Sequence, residues 1–246
     1  MPESVLPESA LPGALPDTSP GTLPESALPA AVLFDMDGTL VDTEQLWWRT
    51  AVEIAEELGH PLTERDAPEV LGQAVEHTAA HLHRVSGTAL GEAELAVRLG
   101  GSFAAKVAAE TVPRPGALAL LASLRDSRVP TALVSASPRE VVDLVLAAIG
   151  RDWFAVTLAA EDTERTKPAP DPYLAAAERL GLDPAVCLAV EDTPTGVASA
   201  TAAGCAVLAV PSTPTPMPEG DRITLLASLE QADLALLGKL AATPAV

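Results

Sequence analysis

Four carboxylates follow directly after two short apolar runs of this sequence. Asp35 and Asp37 come after one run, and Glu191 and Asp192 come after another. If the two runs are neighbouring strands, these side chains converge, and two charges about 4 Å apart repel by roughly 4 kcal/mol at an effective dielectric near 20. A stable cluster of this kind needs a cation, and Mg²⁺ prefers an all-oxygen ligand set. The sequence therefore predicts a magnesium site.

Two further positions could hold an anion beside that site. Ser135 follows an apolar run at 131–134, and Lys167 lies in a later loop and is followed by Pro168. The chain has 15 basic and 34 acidic residues, a formal charge of −19, so it repels polyanions and anionic surfaces at long range. A phosphate-bearing ligand must then be attracted locally, and we expect neither nucleic acid nor a membrane as a partner.

Strand and helix patterns alternate along the chain from Pro113 onward. This alternation predicts an α/β fold with a doubly wound, Rossmann-like parallel sheet. Ligands of such sheets bind beyond the carboxyl ends of the strands, and the polar residues described above stand at those ends. The predicted helices lie at 115–126, 138–149, 172–180 and 194–203, and the predicted strands at 31–34, 130–135, 155–159, 186–190 and 205–210.

A helical region separates the first strand from the rest of the predicted sheet. Thr43 is a candidate N-cap for a helix that stops near Gly59 and Pro61. Further helical patterns follow at 66–72, 74–85 and 91–110. The simplest architecture is a core into which a helical cap is inserted after the first strand.

The composition of the chain helps to set the boundaries of its tail, core and cap. Residues 1–29 hold seven prolines and no Lys or Arg, which predicts an extended, disordered tail. We assign residues 30–44 and 113–246 to the core and residues 45–112 to the cap.

The order of these residues resembles the haloacid dehalogenase superfamily of phosphohydrolases. The segment Asp35-Met-Asp-Gly-Thr-Leu40 is similar to that family's first motif and Ser135 to its second. Lys167-Pro168 resembles the third motif, and Glu191-Asp192 resembles the fourth. The resemblance covers residues 30 to about 240, and four ordered motifs at successive strand ends are far more specific than any one of them.

The resemblance implies a role for each of these residues. Asp35 would be the covalent nucleophile and Asp37 the general acid and base, so the enzyme would be a phosphatase that forms an aspartyl-phosphate. Mg²⁺ would be bound by Asp35, the main-chain carbonyl of Asp37 and Asp192, with Glu191 in or beside that shell. The phosphate would be held by Gly38, Thr39, Ser135, Ala136 and Lys167.

The helical insertion resembles the small-cap branch of the family, which contains phosphoglycolate phosphatase-like and β-phosphoglucomutase-like members. Such a cap implies a small phosphorylated metabolite, of the sugar phosphate or phosphoglycolate type, that is enclosed when the cap closes. The candidate substrate contacts on the cap side are Glu44, Trp47, Gly72, Gln73 and His77. Val75 stands where a sugar-phosphate mutase would place an arginine, which favours a phosphatase over a mutase.

Two alternatives to the phosphatase stay open at this point. One is a β-phosphoglucomutase-like phosphosugar mutase, and the other is a non-catalytic phosphometabolite-binding adaptor that uses the proline-rich tail. Cys187 and Cys205 lie in apolar runs and are expected to be buried hydrophobes rather than a redox pair. The sequence shows neither a transmembrane run nor a signal peptide, so we expect a cytoplasmic protein, with a monomer favoured.

Overall fold

The computed structural model describes residues 28–243 of the chain. Its centre is a six-stranded parallel sheet with the strand order β3-β2-β1-β4-β5-β6. The direction of the strand order reverses between β1 and β4, as in other doubly wound sheets, so a crevice opens at that point. The strands are β1 (Ala31–Phe34), β2 (Thr131–Val134), β3 (Val156–Leu158), β4 (Cys187–Glu191), β5 (Ala206–Ala209) and β6 (Ile223–Leu225).

Both faces of the sheet are covered by helices, which is why its strands read as continuous apolar runs. In β1, Val32 and Phe34 belong to one core cluster, while Ala31 and Leu33 belong to the other, and all four are fully buried. The helices of the core are α4 (Ala117–Asp126), α5 (Arg139–Ile149), α6 (Asp171–Leu180), α7 (Pro194–Ala202) and α8 (Leu234–Ala241). Residues of α4, α5 and α8 join the first cluster, and residues of α6 and α7 join the second.

The cap consists of three helices, α1 (Thr43–Glu57), α2 (Val75–Ser86) and α3 (Glu92–Glu110), which enclose an apolar cluster of their own. Trp47 meets Phe103 edge to face at 5.2 Å between ring centroids, a favourable geometry for two aromatic rings. Phe103 packs against the cap cluster and also against the first core cluster. The ring of Phe103 therefore connects the cap to the core. The helix that carries it, α3, also packs against α5.

Two details of the predicted cap are wrong. The segment predicted as a helix at 66–72 is a 3₁₀ helix at Glu64–Glu69, capped reciprocally by Thr63 and Asp66. Pro68 lies inside it and has no amide hydrogen to donate, so an α-helix cannot continue there. The N-cap of α1 is Asp42 rather than Thr43, because the Asp42 carboxylate accepts the Gln45 amide while the Thr43 hydroxyl points elsewhere.

The two ends of the chain add features that the sequence patterns did not predict. Strand β6 pairs in parallel with β5, and α8 packs against β4 and β5. The predicted tail lies outside the described residues except for its last two, Leu28 and Pro29, and Leu28 packs against the first core cluster. No helix between residues 28 and 243 combines the length and apolar character needed to span a membrane.

Candidate active site

The polar residues at the ends of three adjacent strands meet at one edge of the sheet. Asp35 follows β1 and Ser135 follows β2, while Glu191 is the last residue of β4. Because β1 lies between β2 and β4 and all three run in parallel, their carboxyl ends share the same edge. The loop before α6 brings Lys167 to this edge as well.

Lys167 occupies the centre of the site. Its ammonium donates to Asp35 Oδ1 at 2.6 Å, to Glu191 Oε1 at 2.7 Å and to the Val134 carbonyl at 2.9 Å, which uses all three of its protons. Burial alone would lower the pKa of Lys167, but the negative charges of Asp35 and Glu191 outweigh it and raise that pKa above its ordinary value. The lysine therefore stays charged and holds one oxygen of Asp35 in place.

An acidic cluster lies beside this lysine. One carboxylate oxygen from each of Asp35, Glu191 and Asp192 lies within 4.8 Å of the other two. Oδ2 of Asp35 is buried and has no hydrogen-bond partner in the structure. Buried acceptors are nearly always satisfied, so this oxygen is free to accept a bond from a further group. An all-oxygen set with one orphaned buried acceptor fits a divalent metal ion.

The pKa shifts of the clustered carboxylates also favour a bound cation. Burial raises the pKa of Asp35 well above its usual range; Lys167 opposes that rise, and the charges of Glu191, Asp192 and Asp37 add to it. Burial also raises the pKa of Asp192 to about 7, against the hydrogen bond from Ser212. One lysine does not neutralise three buried carboxylates, and a bound cation would supply the missing positive charge.

Asp37 is held by hydroxyl groups rather than by the acidic cluster. Its Oδ1 accepts from the Thr43 hydroxyl at 2.5 Å, and its Oδ2 accepts from Ser135 at 3.0 Å and Ser137 at 2.8 Å. The side chain therefore points across the site toward β2 and the start of α1. The Asp37 carbonyl as a metal ligand stays a prediction.

The loop after β1 needs glycine at position 38. Gly38 has φ = +83°, and a Cβ atom there would overlap the carboxylate of Asp192. Asp192 is also held by Ser212, whose hydroxyl donates to Oδ2 at 2.5 Å, and Thr39 Oγ1 lies 3.5 Å from its Oδ1. Ala136, a predicted phosphate-binding residue, is exposed in the loop after β2.

Comparison with known proteins assigns the family. Residues 29–204 match the family model described as haloacid dehalogenase-like hydrolase. The chain belongs to the haloacid dehalogenase-like hydrolases. Hexitol phosphatase A of Escherichia coli (strain K12) is 36% identical to it, over 80% of this chain and 90% of the relative. Hexitol phosphatase B of the same strain is 31% identical, over 82% and 90% of the two chains.

A solved structure agrees with the fold. CbbY from Rhodobacter sphaeroides in complex with phosphate superposes with a TM-score of 0.70 and 27% identity, covering 83% of this chain and 96% of that one. The predictions of the haloacid dehalogenase family, of the α/β Rossmann-like fold and of an enzyme in the phosphoric monoester hydrolase class are confirmed.

The predicted cap-side residues of this hydrolase divide into two groups, and Glu44 forms the first by itself. It lies in the first turn of α1 and is half-buried, and its pKa is raised by burial and by the charges of Asp42 and Asp37. Among the predicted cap-side residues, it is the one whose charge acts on the carboxylates of the site.

The second group of cap-side residues is engaged within the cap. Trp47 is in the cap core, where its indole N–H donates to the Val70 carbonyl at 2.9 Å, so it stabilises the cap rather than facing the carboxylates. Gly72 is exposed, and the side chain of the neighbouring Gln73 donates back to Pro68 O at 3.0 Å. His77 is exposed and pairs with Glu69 at 2.8 Å. Substrate contacts by Gly72, Gln73 and His77 stay predictions.

Several residues around the core motifs were not identified from the sequence. Ser137 and Thr43 bind Asp37, Ser212 binds Asp192, and Tyr173 donates to Glu191 at 2.6 Å. Ser137 could have been suspected, because it lies two residues after Ser135 in the same loop. Ser212 and Tyr173 have no such signal, since their partners are distant in sequence.

Proposed function

We propose that this chain is a Mg²⁺-dependent phosphatase that hydrolyses small phosphorylated metabolites through an aspartyl-phosphate on Asp35. The observation that carries the proposal is the unequal state of the two Asp35 oxygens. Oδ1 is fixed by Lys167, whereas Oδ2 is buried and has no hydrogen-bond partner in the structure. A carboxylate held in this way is oriented for attack before the substrate arrives.

In the first step, an oxygen of Asp35 attacks phosphorus and forms an oxygen–phosphorus bond while the ester bond to the leaving group breaks. The electron pair of the broken bond stays on the leaving oxygen, which takes a proton from Asp37. Ser135 and the loop residues Gly38, Thr39 and Ala136 would face the oxygens of the phosphoryl group, where negative charge builds, and Lys167 would attract those oxygens by its charge.

In the second step, water attacks the phosphorus of the aspartyl-phosphate, and Asp37 accepts the proton that this water loses. The phosphorus–oxygen bond to Asp35 breaks, which releases inorganic phosphate and restores the carboxylate. The same residue thus donates a proton in one step and accepts one in the other.

The proposed metal site consists of Asp35, Asp192 and the main-chain carbonyl of Asp37, with Glu191 beside them. A bound Mg²⁺ would offset the negative charge of the cluster and attract the phosphate that the acidic chain otherwise repels. Ser212 and Thr39 keep Asp192 in position for this role.

The cap side of the site supports a hydroxylated leaving group. Glu44 adds a carboxylate near Asp37, and a second phosphate or a carboxylate on the substrate would be repelled there. A sugar or sugar-alcohol phosphate carries hydroxyl groups that can donate to such a carboxylate. Two of the relatives reported above are named hexitol phosphatases, which agrees with this substrate class.

The test uses the full chain, p-nitrophenyl phosphate and then a panel of hexitol phosphates, hexose phosphates, phosphoglycolate and sugar bisphosphates. We expect hydrolysis that requires Mg²⁺, with the highest kcat/KM on the sugar and sugar-alcohol monophosphates. Full activity in excess EDTA would contradict the metal dependence. A preference for bisphosphates or phosphoglycolate would contradict the substrate class, and Glu44→Gln should relax the discrimination against both.

A further inference from the structure

We propose that Tyr173 is a positioning residue of this site, which holds Lys167 against Asp35 by way of Glu191. The proposal rests on the proposed function, because Tyr173 would act through the lysine that orients the proposed nucleophile. Tyr173 bonds to Glu191 and not to Asp35 or Asp37, so its effect on the reaction would be indirect.

The contacts form a chain of three hydrogen bonds. The Tyr173 hydroxyl donates to Glu191 Oε1 at 2.6 Å, and Lys167 Nζ donates to the same oxygen at 2.7 Å. Lys167 then donates to Asp35 Oδ1 at 2.6 Å. The ammonium also lies 5.2 Å from the centre of the Tyr173 ring, within the range of a cation–π contact. Tyr173 therefore touches both members of the pair that fixes the nucleophile.

Glu191 has little freedom to move in this arrangement. Its side chain is buried, and its Oε2 accepts the main-chain N–H of Asp192 at 3.2 Å. Gly196, at the start of α7, lies so close that a Cβ atom there would overlap the Glu191 carboxylate. The carboxylate is thus held by donors at both oxygens, and Tyr173 supplies one of the two donors on the oxygen that faces Lys167.

Packing alone does not explain a tyrosine at this position. The side chain is fully buried in the second core cluster, among small apolar residues such as Ala176 and Ala177. A phenylalanine would fill the same space, and a buried hydroxyl costs free energy unless it is hydrogen-bonded. The hydroxyl is therefore explained by its bond to Glu191, a charged acceptor for which such bonds are strongest.

The first test compares full-length wild type with Tyr173→Phe, which keeps the ring and removes only the hydroxyl. With p-nitrophenyl phosphate and Mg²⁺, we expect kcat to fall by about tenfold, the effect of losing one buried hydrogen bond to a charged group, while KM changes by less than about twofold. Thr131→Val is the matched control. It removes a buried hydroxyl that bonds to the Trp153 carbonyl, at the end of β2 that lies away from the site. Its kcat should equal that of wild type.

A double-mutant cycle with Glu191→Gln separates positioning from general damage. If Tyr173 acts through Glu191, Tyr173→Phe should lower kcat in wild type and have less than about a twofold effect in Glu191→Gln. Equal losses in both backgrounds, an equal loss in the Thr131→Val control, or a Tyr173→Phe enzyme with the kcat of wild type would each overturn the proposal.

Crystal structures of wild type and Tyr173→Phe give a readout that needs no activity. The proposal expects the Lys167 ammonium to move away from Asp35 Oδ1 in the variant, and an unchanged distance would overturn it. If wild type fails to hydrolyse any phosphate ester, the proposed function fails instead, and this structural comparison still decides the role of Tyr173.

Discussion

The ammonium of Lys167 lies 2.6 Å from Oδ1 of Asp35, while Oδ2 of the same carboxylate has no hydrogen-bond partner. One oxygen of Asp35 is thus restrained by the lysine, and the other is left without a donor. The restraint comes from the loop that precedes α6, and the proposed nucleophile comes from the end of β1. The orientation of Asp35 in this hydrolase therefore depends on a residue that is 132 positions away in the sequence.

Lys167→Met tests whether Lys167 restrains Asp35. The substitution leaves Asp35 and Glu191 buried without their shared counter-charge, so we expect kcat to fall by about 100-fold or more and the free energy of unfolding to drop by about 3 kcal/mol. Steady-state kinetics and urea unfolding measure the two effects. Lys106→Met is the control, because Lys106 pairs with Glu53 within the cap and should cost at most about 1 kcal/mol with kcat unchanged. A Lys167→Met enzyme with more than half of the wild-type kcat would contradict this role.

Gly38→Ala tests the close approach between the loop after β1 and Asp192. The added Cβ atom would meet the Asp192 carboxylate and would also force an alanine to adopt φ = +83°. We expect loss of most of the activity and weaker Mg²⁺ binding, measured by kinetics and by calorimetric titration. Gly59→Ala has a similar φ of +77° but open space around its Cβ, so it should cost about 1 kcal/mol of stability and leave kcat intact. Equal activity of the two variants would show that the contact with Asp192 is unimportant.

Ser137→Ala tests the positioning of Asp37, the proposed acid and base. Ser137 donates to Asp37 Oδ2 at 2.8 Å, alongside Ser135 and Thr43, so its loss should lower kcat by about tenfold with a small change in KM. Ser123→Ala, on the exposed side of α4, removes a hydroxyl that bonds only to its own helix and should behave as wild type. An unchanged kcat for Ser137→Ala would mean that Ser135 and Thr43 suffice to hold Asp37.

The two cysteines give a pH-dependent prediction. Burial raises the pKa of Cys187 to about 11 and that of Cys205 to about 12. Since the thiolate is the reactive form and its fraction grows as pH rises toward the pKa, both thiols should be unreactive toward a disulfide reagent at pH 8 in the folded protein. Both should react rapidly once the chain is unfolded in urea. Equal rates in the folded and unfolded states would contradict the burial of these side chains.

Much of the core could be predicted from the sequence for one physical reason. A strand buried on both faces must be a continuous apolar run, and the first polar residue after it lies at the carboxyl edge of the sheet. Asp35, Ser135 and Glu191 all follow this rule, and the parallel sheet brings them together. The sequence placed Lys167 in a loop after the third strand, and only the resemblance to a family motif gave it a specific role, because no local pattern of a loop indicates where its side chain reaches.

The features of the site and the cap that were not predicted depend on contacts between distant segments. Local sequence patterns do not contain those contacts. Thr43 was a reasonable N-cap by residue type, but the tertiary structure gives its hydroxyl to Asp37 and leaves the cap to Asp42. An amphipathic helix such as α1 shows which face is apolar without showing whether that face meets a substrate or its own domain. Trp47 lies in the cap core. Glu44, in the first turn of the same helix, lies near enough to Asp37 for the charge of that residue to raise its pKa.

Asp35 is the proposed nucleophile, and the rate of p-nitrophenyl phosphate hydrolysis by Asp35→Asn with saturating Mg²⁺ tests this role most directly. Asparagine keeps the shape of the side chain but cannot form the acyl phosphate, so we expect kcat to fall by about 10³-fold or more while the fold, followed by circular dichroism, is retained. A folded Asp35→Asn enzyme that hydrolyses the ester at the wild-type rate would contradict this role of Asp35.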